Sequence, residues 1–435
     1  MNRILRIYAD WLRGAGLSRV SKSQSPRELS TWAFASVAVA MTEGGFAGVV
    51  VKNAFVNHVS NDWLNAGVAL AAAAPATANL MSFFWADFVA GRRKVPTIAV
   101  LLLAAAIGPL VIALVPLTTT GMFLFVGAML TSRVFWAGAL TVRSAVWRAN
   151  NPDESRASFM GKVSVLGSAS MAIAGAISGL MLDASTESFR WFYPAGGFAL
   201  LAAGLVYRSV RVRRHRQLLA AERAERVRQR AGLKGAVELL RQDDNYRRYM
   251  LVMFFFGSGN LAYLTINVLL LAEQIELSRL MQMMITTTIP MAALPVSVPL
   301  WAHLFTRSNI ARFRVGQGGL FVFGMLMTAL GIVVDNVGFL ALAAALSGTG
   351  LAAGNIGWHL GHNAFASDGR ATDYMAVHVS LTGLRGLIAP LAAVAFYQWL
   401  VSDDLSHGVY ALVFPIALMS SSVIGFARLS RQLPS

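Results

Sequence analysis

Long, uninterrupted apolar stretches are the feature that most constrains how this chain can fold. A helix needs about 20 apolar residues to cross the hydrocarbon core of a bilayer. Twelve stretches of roughly that length predict an all-α, polytopic membrane protein with about 12 transmembrane helices. The predicted spans, numbered 1 to 12 in chain order, are 29–52, 63–85, 95–116, 119–142, 157–182, 190–208, 249–272, 280–304, 315–334, 336–360, 373–400 and 408–428.

The composition excludes several classes of protein. Charged residues make up only 13% of the chain and apolar residues 56%, so a soluble domain could not cover its surface with polar groups, and disorder is equally excluded. The absence of cysteine excludes disulfides, thiolate catalysis and sulfur-ligated metal sites. No catalytic motif and no glycine-rich nucleotide-binding loop is found. We therefore predict no enzymatic activity, no cofactor and no metal site.

The loops between the spans alternate in charge. Excess Lys and Arg marks cytoplasmic loops, so the basic side, with both termini, is predicted to be cytoplasmic. The predominance of Arg over Lys, together with abundant Ala, suggests a bacterial inner-membrane protein. The basic flanks carry Arg92, Arg93, Lys94, Arg148, Arg156, Arg307, Arg312, Arg314, Arg370, Arg428 and Arg431. The other flanks carry Asp62, Asp183, Glu187, Glu273, Glu276, Asp335, Asp403 and Asp404, with Lys52, Arg190 and Arg279 as their basic residues.

Two charged segments divide the chain into four parts. Residues 1–27 are basic with an apolar helical stripe, which predicts an amphipathic segment on the cytoplasmic surface. Residues 209–246 are rich in Arg and predict a cytoplasmic linker. The six-span units are then 28–208 and 247–435. The net charge of +16 is attributed to attraction to anionic lipid rather than to nucleic-acid binding.

The two units resemble each other at an offset of 216 residues. The offset pairs Trp85 with Trp301, and it pairs the stretch that begins at Lys162 with the stretch that begins at His378. Gly167 and Gly383 also coincide. Parallel repeats of this kind are typical of secondary transporters. We therefore predict two pseudo-symmetric six-helix bundles.

Taken together, the chain resembles the major facilitator superfamily (MFS) of transporters. Its loop between spans 2 and 3 reads Asp87-Phe88-Val89-Ala90-Gly91-Arg92-Arg93-Lys94. This stretch is similar to the family motif, although one residue is inserted before the glycine. The resemblance implies secondary transport by alternating access, with Asp87, Arg92 and Arg93 as gating residues.

Ionisable side chains inside the spans are costly and usually functional. Glu43, Arg133 and Arg385 lie near the middle of predicted spans. A second group lies nearer the cytoplasmic ends: Arg143, Lys162, His359, His362 and His378. The resemblance implies that the spans carrying these residues line a central cavity. A positive cavity favours a small anionic solute, because Arg can hold a carboxylate or phosphate with two hydrogen bonds.

We therefore expect Arg133, Arg385 and Lys162 to bind the solute and Glu43 to exchange the coupling proton. Asn260 and His378 are further candidate contacts, and Arg143, His359 and His362 are candidate gating residues. The alternative for Glu43 and Arg133 is an ion pair that only joins two helices. The expected partners are a small solute, a proton or other coupling ion and membrane lipid, and the expected state is a monomer.

Two other functions remain open at this stage. One is a drug-efflux antiporter, in which Arg385 would be dispensable. The other is a membrane scaffold or sensor that has the same fold but transports nothing.

Overall fold

The structure is a computed structural model that describes residues 19–89, 91–151, 153–217, 219–220, 233–275, 277–305, 307–365 and 371–433. Within these ranges the chain is helical and contains no strand, which confirms the all-α prediction. Eleven helices are long and apolar enough to cross a membrane, and one bent helix pair supplies a twelfth crossing.

The observed helices follow the predicted order of spans. In the first half, span 1 comprises Arg19–Met41 and Gly44–Phe55; span 2, Asn61–Thr77, Ala78–Met81 and Ser82–Val89; span 3, Lys94–Ile112; span 4, Thr119–Asn150; span 5, Asp153–Ala184; and span 6, Phe189–Tyr207. In the second half, a linker helix, Leu233–Gln242, precedes span 7, Asp244–Glu273; span 8, Arg279–Met283, Met284–Thr288 and Ile289–Phe305; span 9, Ile310–Val333; span 10, Val337–Leu360; span 11, Ala371–Val401; and span 12, Leu405–Leu412 and Val413–Ser430.

The short connection between spans 9 and 10, residues 334–336, depends on local turn chemistry. Asp335 adopts a positive φ of 49°, a conformation that Asp tolerates better than most side chains. The next residue, Asn336, accepts a hydrogen bond from the Gly338 amide at 2.8 Å and caps span 10. Two spans can therefore be separated by only a few residues.

The spans form two bundles, and equivalent spans pack together in each. Span 1 packs on spans 5 and 6, and span 7 packs on spans 11 and 12. Span 3 packs on spans 4 and 6, and span 9 packs on spans 10 and 12. Between the halves, span 2 packs on span 11 and span 5 packs on span 8. Each contact thus has a counterpart six spans away, as the pseudo-symmetric prediction requires.

Span 1 differs from the continuous helix that the sequence predicts. It is broken between Met41 and Gly44, and its two parts are inclined by 44°. Glu43 at the break has extended backbone angles, φ −73° and ψ 142°. An added Cβ at Gly44 would lie 2.8 Å from the Cα of Ala72 in span 2. Only glycine therefore lets the second part of span 1 approach span 2 this closely.

Span 8 carries the second irregularity, which faces the first across the two halves. Residues Met284–Thr288 form a π-helical turn, and such turns are frequent at functional sites. An added Cβ at Gly45 would lie 3.3 Å from the Thr286 carbonyl oxygen. The broken part of span 1 therefore contacts the π turn of span 8 directly.

The hydrogen bonds between the two halves are concentrated at one face of the protein. We call the face that holds Arg19 and Leu433 the terminal face, and the other the opposite face. At the opposite face, Asn53 bonds Gln282 at 2.8 Å, and the Arg279 amide donates to Asp183 at 2.6 Å. Gln398 donates to the Asp62 carbonyl oxygen at 3.2 Å. Among the described residues, none of the hydrogen bonds between halves lies at the terminal face.

Candidate functional site

The break in span 1 leaves backbone carbonyls without the amide partners of a continuous helix. Two of them are satisfied by Arg133 from span 4: its Nε donates to Thr42 O at 2.8 Å and its NH2 to Val39 O at 3.0 Å. The Met41 carbonyl accepts from the Tyr193 hydroxyl at 2.8 Å. Unpaired carbonyls are costly at bilayer depth, so Arg133 is part of what makes the break possible.

Arg133 also forms an ion pair with Glu43. Its NH2 lies 2.5 Å from Glu43 Oε2, and the side chain of Arg133 is 7% exposed while that of Glu43 is 39% exposed. Span 1 is enclosed by spans 2, 5, 6, 7 and 8, and the next residues, Gly44 and Gly45, contact neighbouring spans. The exposed part of Glu43 therefore faces the space between the helices rather than lipid. This pair joins a polar, partly accessible acid to a buried guanidinium.

A second buried acid in the first half lies nearer the terminal face. Glu28 is 2% exposed, and it accepts hydrogen bonds from the indole of Trp32 at 2.7 Å and that of Trp147 at 3.2 Å. The guanidinium of Arg143 lies over both rings, 4.5 Å and 4.0 Å from their centroids, and interacts electrostatically with Glu28. The Tyr207 hydroxyl also donates a hydrogen bond to Glu28, at 3.4 Å. Arg143, a predicted gating residue, is thus placed in an aromatic cluster inside the first half.

The second half buries Arg385 against a glycine. Arg385 is 6% exposed, and its NH1 donates to the Met253 carbonyl at 2.6 Å. Its Nε has no hydrogen-bond partner. An added Cβ at Gly257 would lie 2.1 Å from the guanidinium carbon, so the guanidinium rests directly on the backbone of span 7.

Arg314 is a second buried guanidinium in the same region. The sequence places it in the loop flank before span 9, but this is wrong: Arg314 lies within span 9, and its side chain is only 2% exposed. Its NH1 donates to Gln317 at 2.6 Å and its Nε to the Tyr249 hydroxyl at 3.4 Å, while NH2 has no partner. An added Cβ at Gly357 would lie 2.7 Å from its guanidinium carbon.

The remaining predicted binding residues are spread over three spans. Asn260 and Lys162 are half-buried, in spans 7 and 5. Because Asn260 precedes Leu264 by one helical turn and Leu264 contacts Gly45, Asn260 lies on the face of span 7 that is turned towards span 1. His378 is buried in span 11, with its ring 4.3 Å from that of Trp358.

The predicted gating residues are described only in part. The side chains of Asp87 and His359 lie outside the described residues, whereas His362 is buried at the terminal end of span 10. Arg92 and Arg93 are exposed, and the Arg92 guanidinium lies 3.9 Å from the centre of the Phe88 ring. Among the described residues, no three metal-ligating side chains come together.

A charged contact that the sequence does not predict joins the halves at the opposite face. Lys52 and Glu273, both assigned to loop flanks, form an ion pair at the ends of spans 1 and 7. Lys52 also donates to Asn65 at 2.7 Å, and Tyr397 donates to Glu273 at 2.5 Å. The four side chains come from spans 1, 2, 7 and 11, so they tie both halves together.

The sequence thus singles out Glu43, Arg133 and Arg385 as charges inside spans, but it does not predict the burial of Arg314 and Glu28 or the Lys52–Glu273 pair. The missed residues lie near the predicted span ends, where a charged residue is equally typical of a loop. The glycines against which Arg314 and Arg385 pack are the sequence feature that could have revealed this burial, but the chain contains 38 glycines. Long-range partners cannot be selected among so many.

Comparison with known proteins assigns the family. The family model described as Major Facilitator Superfamily matches residues 32–427. A mutant of the nucleoside transporter NupG is similar in structure, with a TM-score of 0.72 at 12% identity over 93% of this chain and 99% of that one. A D-xylose-proton symporter is similar with a TM-score of 0.71 at 13% identity, over 94% and 98%. The inward-open xylose transporter XylE from E. coli has a TM-score of 0.65 at 12% identity, over 94% and 99%. No curated protein matches the sequence. The chain therefore belongs to the Major Facilitator Superfamily and is a transporter, not an enzyme.

Proposed function

We propose that this protein is a proton-coupled secondary transporter of a small anionic solute, and that it resides in a bacterial inner membrane with its terminal face in the cytoplasm. The observation that carries the proposal is the Glu43–Arg133 pair at the break of span 1. Discontinuous helices near the bilayer midplane form the substrate and ion sites of several transporter families. The name of the similar D-xylose-proton symporter supports proton coupling.

The pair suggests how a proton and an anion are coupled. In the described state, NH2 of Arg133 donates hydrogen bonds to both Glu43 and the Val39 carbonyl. Protonation of Glu43 removes the negative charge that competes with an anionic solute for Arg133. The guanidinium keeps its carbonyl partners and thereby stays in position. Solute binding and proton binding then favour each other, as symport requires.

The distribution of contacts between the halves supports alternating access. The described conformation has its inter-half hydrogen bonds at the opposite face, which we propose to be periplasmic. The terminal face is then the open side. Opening of the other side requires the Lys52–Glu273 pair to separate while the loop of Asp87, Arg92 and Arg93 closes the cytoplasmic side. Lys162, Asn260 and His378 are proposed solute contacts, and Arg143, His359 and His362 are proposed gating residues.

Transport into proteoliposomes tests this function. We would impose an inward proton gradient and offer succinate, glycerol 3-phosphate, uridine or D-xylose, following uptake and lumenal pH together. We expect accumulation of an anionic probe with proton entry. Glu43→Gln should abolish accumulation but retain solute exchange at equilibrium, because exchange needs no net proton movement. Glu187→Gln, whose carboxylate pairs with Arg190 on the surface, is the matched control.

The same assay separates the alternatives. Gradient-driven accumulation by Glu43→Gln at the wild-type level would contradict the proposed coupling. Transport of the neutral probes alone would contradict an anionic solute. Proton-driven efflux of a cationic dye with unchanged activity in Arg385→Ala would favour a drug-efflux antiporter.

The absence of cysteine allows a direct test of orientation. Single cysteines would be introduced as Asp404→Cys, at the opposite face, and as Arg92→Cys, at the terminal face. A membrane-impermeant maleimide should label the first in intact cells and the second only after permeabilisation. The reverse pattern would overturn the assignment of the terminal face to the cytoplasm.

A further inference from the structure

Two buried guanidinium groups border the same stripe of span 7. Tyr249, Met253 and Phe256 recur at helical spacing on this span. Arg314 donates to the Tyr249 hydroxyl and lies 5.8 Å from the centre of the Phe256 ring, while Arg385 donates to the Met253 carbonyl. The two groups are also near enough to repel each other electrostatically.

This pair lacks the counter-charge that a buried cation normally has. None of the described carboxylates forms an ion pair with Arg314 or Arg385, whereas Arg133 in the first half pairs with Glu43. NH2 of Arg314 and Nε of Arg385 are buried donors without an acceptor. Uncompensated charge in a low-dielectric region is strongly unfavourable, so the arrangement calls for an anion.

The local backbone leaves room for both guanidinium groups. Each is packed against a glycine, Arg385 on Gly257 and Arg314 on Gly357, at distances that a Cβ would not allow. The same face of span 7 continues through Asn260 to Leu264, which contacts Gly45 beside the broken helix. From Gly257 to Leu264 the axis rises roughly 10 Å. The Arg314–Arg385 pair and the Glu43–Arg133 pair therefore border the same face of span 7. The Arg314–Arg385 pair lies nearer the terminal face.

We propose that Arg314 and Arg385 form an anion subsite in the second half, which receives an oxyanion group, a carboxylate or a phosphate, of the transported solute. The inference rests on the proposed transport function and adds Arg314 to its binding residues. Guanidinium groups suit such ligands because they present parallel N–H donors to two oxygens. An anion at this subsite would supply acceptors for the two unpartnered nitrogens and would neutralise the repulsion within the pair.

Ligand-dependent thermal stability of the purified, full-length protein tests the subsite without requiring transport. Intrinsic tryptophan fluorescence would report Tm with increasing succinate, glycerol 3-phosphate, inorganic phosphate or sulfate, at constant ionic strength, with D-xylose as the neutral control. We expect an organic anion to raise Tm. Arg314→Gln and Arg385→Gln should each weaken the apparent affinity about tenfold or more, because each removes charge-assisted hydrogen bonds.

Arg312→Gln is the matched control, since Arg312 is exposed two residues before Arg314 on the same helix. It should retain the wild-type affinity. A structural role would also be visible without ligand: it predicts that both buried variants have a lower Tm, whereas removal of an unpaired buried charge should leave Tm unchanged or raise it. A lower Tm of the ligand-free variants with unchanged affinity would overturn the proposal.

Two further outcomes separate the possible anions. Stabilisation by inorganic phosphate or sulfate, but by neither organic anion, would overturn the proposal, because the site would then hold a resident counterion. No stabilisation of the wild type by any of the anions would also overturn it. Binding retained in a Glu43→Gln variant that no longer accumulates solute would support the subsite and leave proton coupling as a separate question.

Discussion

The two halves share a packing scheme but treat buried charge in opposite ways. In the first half, Glu43 pairs with Arg133, and Glu28 lies beside Arg143 among aromatic rings. In the second half, Arg314 and Arg385 are buried with no carboxylate partner among the described side chains. The comparison shows that two halves with the same fold can differ in how they neutralise buried charge. In the first half Arg133 and Arg143 each lie beside an acid of the same half, whereas in the second half Arg314 and Arg385 have no described carboxylate partner.

Because of this difference, substitution of a buried charge should affect stability differently in the two halves. Removing one member of a satisfied buried pair strands the other, which is strongly destabilising. Removing one of two unpaired like charges relieves repulsion. Neutralising a buried arginine should therefore lower stability in the first half but leave it unchanged or raise it in the second half.

The largest expected effect is in the first half. Glu28→Ala should lower the free energy of unfolding by about 3–5 kcal/mol, because it leaves Arg143 without its nearby negative charge and two indole N–H groups without their acceptor. Denaturant unfolding followed by tryptophan fluorescence measures the change. The exposed Glu187→Ala is the control, with an expected loss of about 0–1 kcal/mol. Equal stability of Glu28→Ala and wild type would refute the view that this half depends on its internal pairs.

An intermediate effect is expected in the second half from an added methyl group. In Gly257→Ala the new Cβ would occupy the position of the Arg385 guanidinium, so Arg385 must move. We expect a loss of about 1–3 kcal/mol in stability, typical of overpacking, together with loss of anion-induced stabilisation. Gly319→Ala is the matched control, because nothing lies within 4 Å of its added Cβ. Unchanged anion binding in Gly257→Ala would show that the position of Arg385 is unimportant.

The smallest expected effect concerns the contact between the halves. Lys52→Met should weaken closure of the opposite face, because among the described side chains Glu273 then keeps only its bond from Tyr397. A cysteine introduced by Asn53→Cys should react about tenfold faster with an impermeant maleimide in the Lys52→Met background, equivalent to about 1.4 kcal/mol in the opening equilibrium. Arg190→Gln, at the same face but bonded within the first half, should leave the rate unchanged. An unchanged rate in Lys52→Met would argue against a closing role for the pair.

Several parts of the fold could be predicted because the bilayer acts on every residue of a span. The twelve crossings emerge from apolar length alone, and the repeat at an offset of 216 residues corresponds to the matched packing of spans 1 to 6 and 7 to 12. The break in span 1 was not predicted, although Gly44 and Gly45 follow Glu43 directly. An apolar pattern continues through a break when neighbouring side chains, here Arg133 and Tyr193, replace the lost helical hydrogen bonds.

The candidate site was predicted where a charge lies deep inside a span and missed where it lies near an end. Glu43, Arg133 and Arg385 stand out because an ionisable group in the middle of a span is costly to bury. Arg314 lies only four residues after the start of span 9, where a guanidinium can equally extend to the membrane surface. Its inward direction depends on Tyr249, Gln317 and Gly357, which belong to other turns and other helices.

The amino-acid sequence alone predicts the membrane class, the number and order of the spans, and which ionisable residues are costly to bury. These properties depend on local composition, because each span exchanges water for lipid independently. Which charges are neutralised depends on how the helices pack. Glu43 pairs with Arg133 and Lys52 with Glu273, whereas Arg314 and Arg385 have no carboxylate partner among the described side chains. Charge pairing depends on distances of a few ångströms between helices that are far apart in the chain, and packing alone sets those distances.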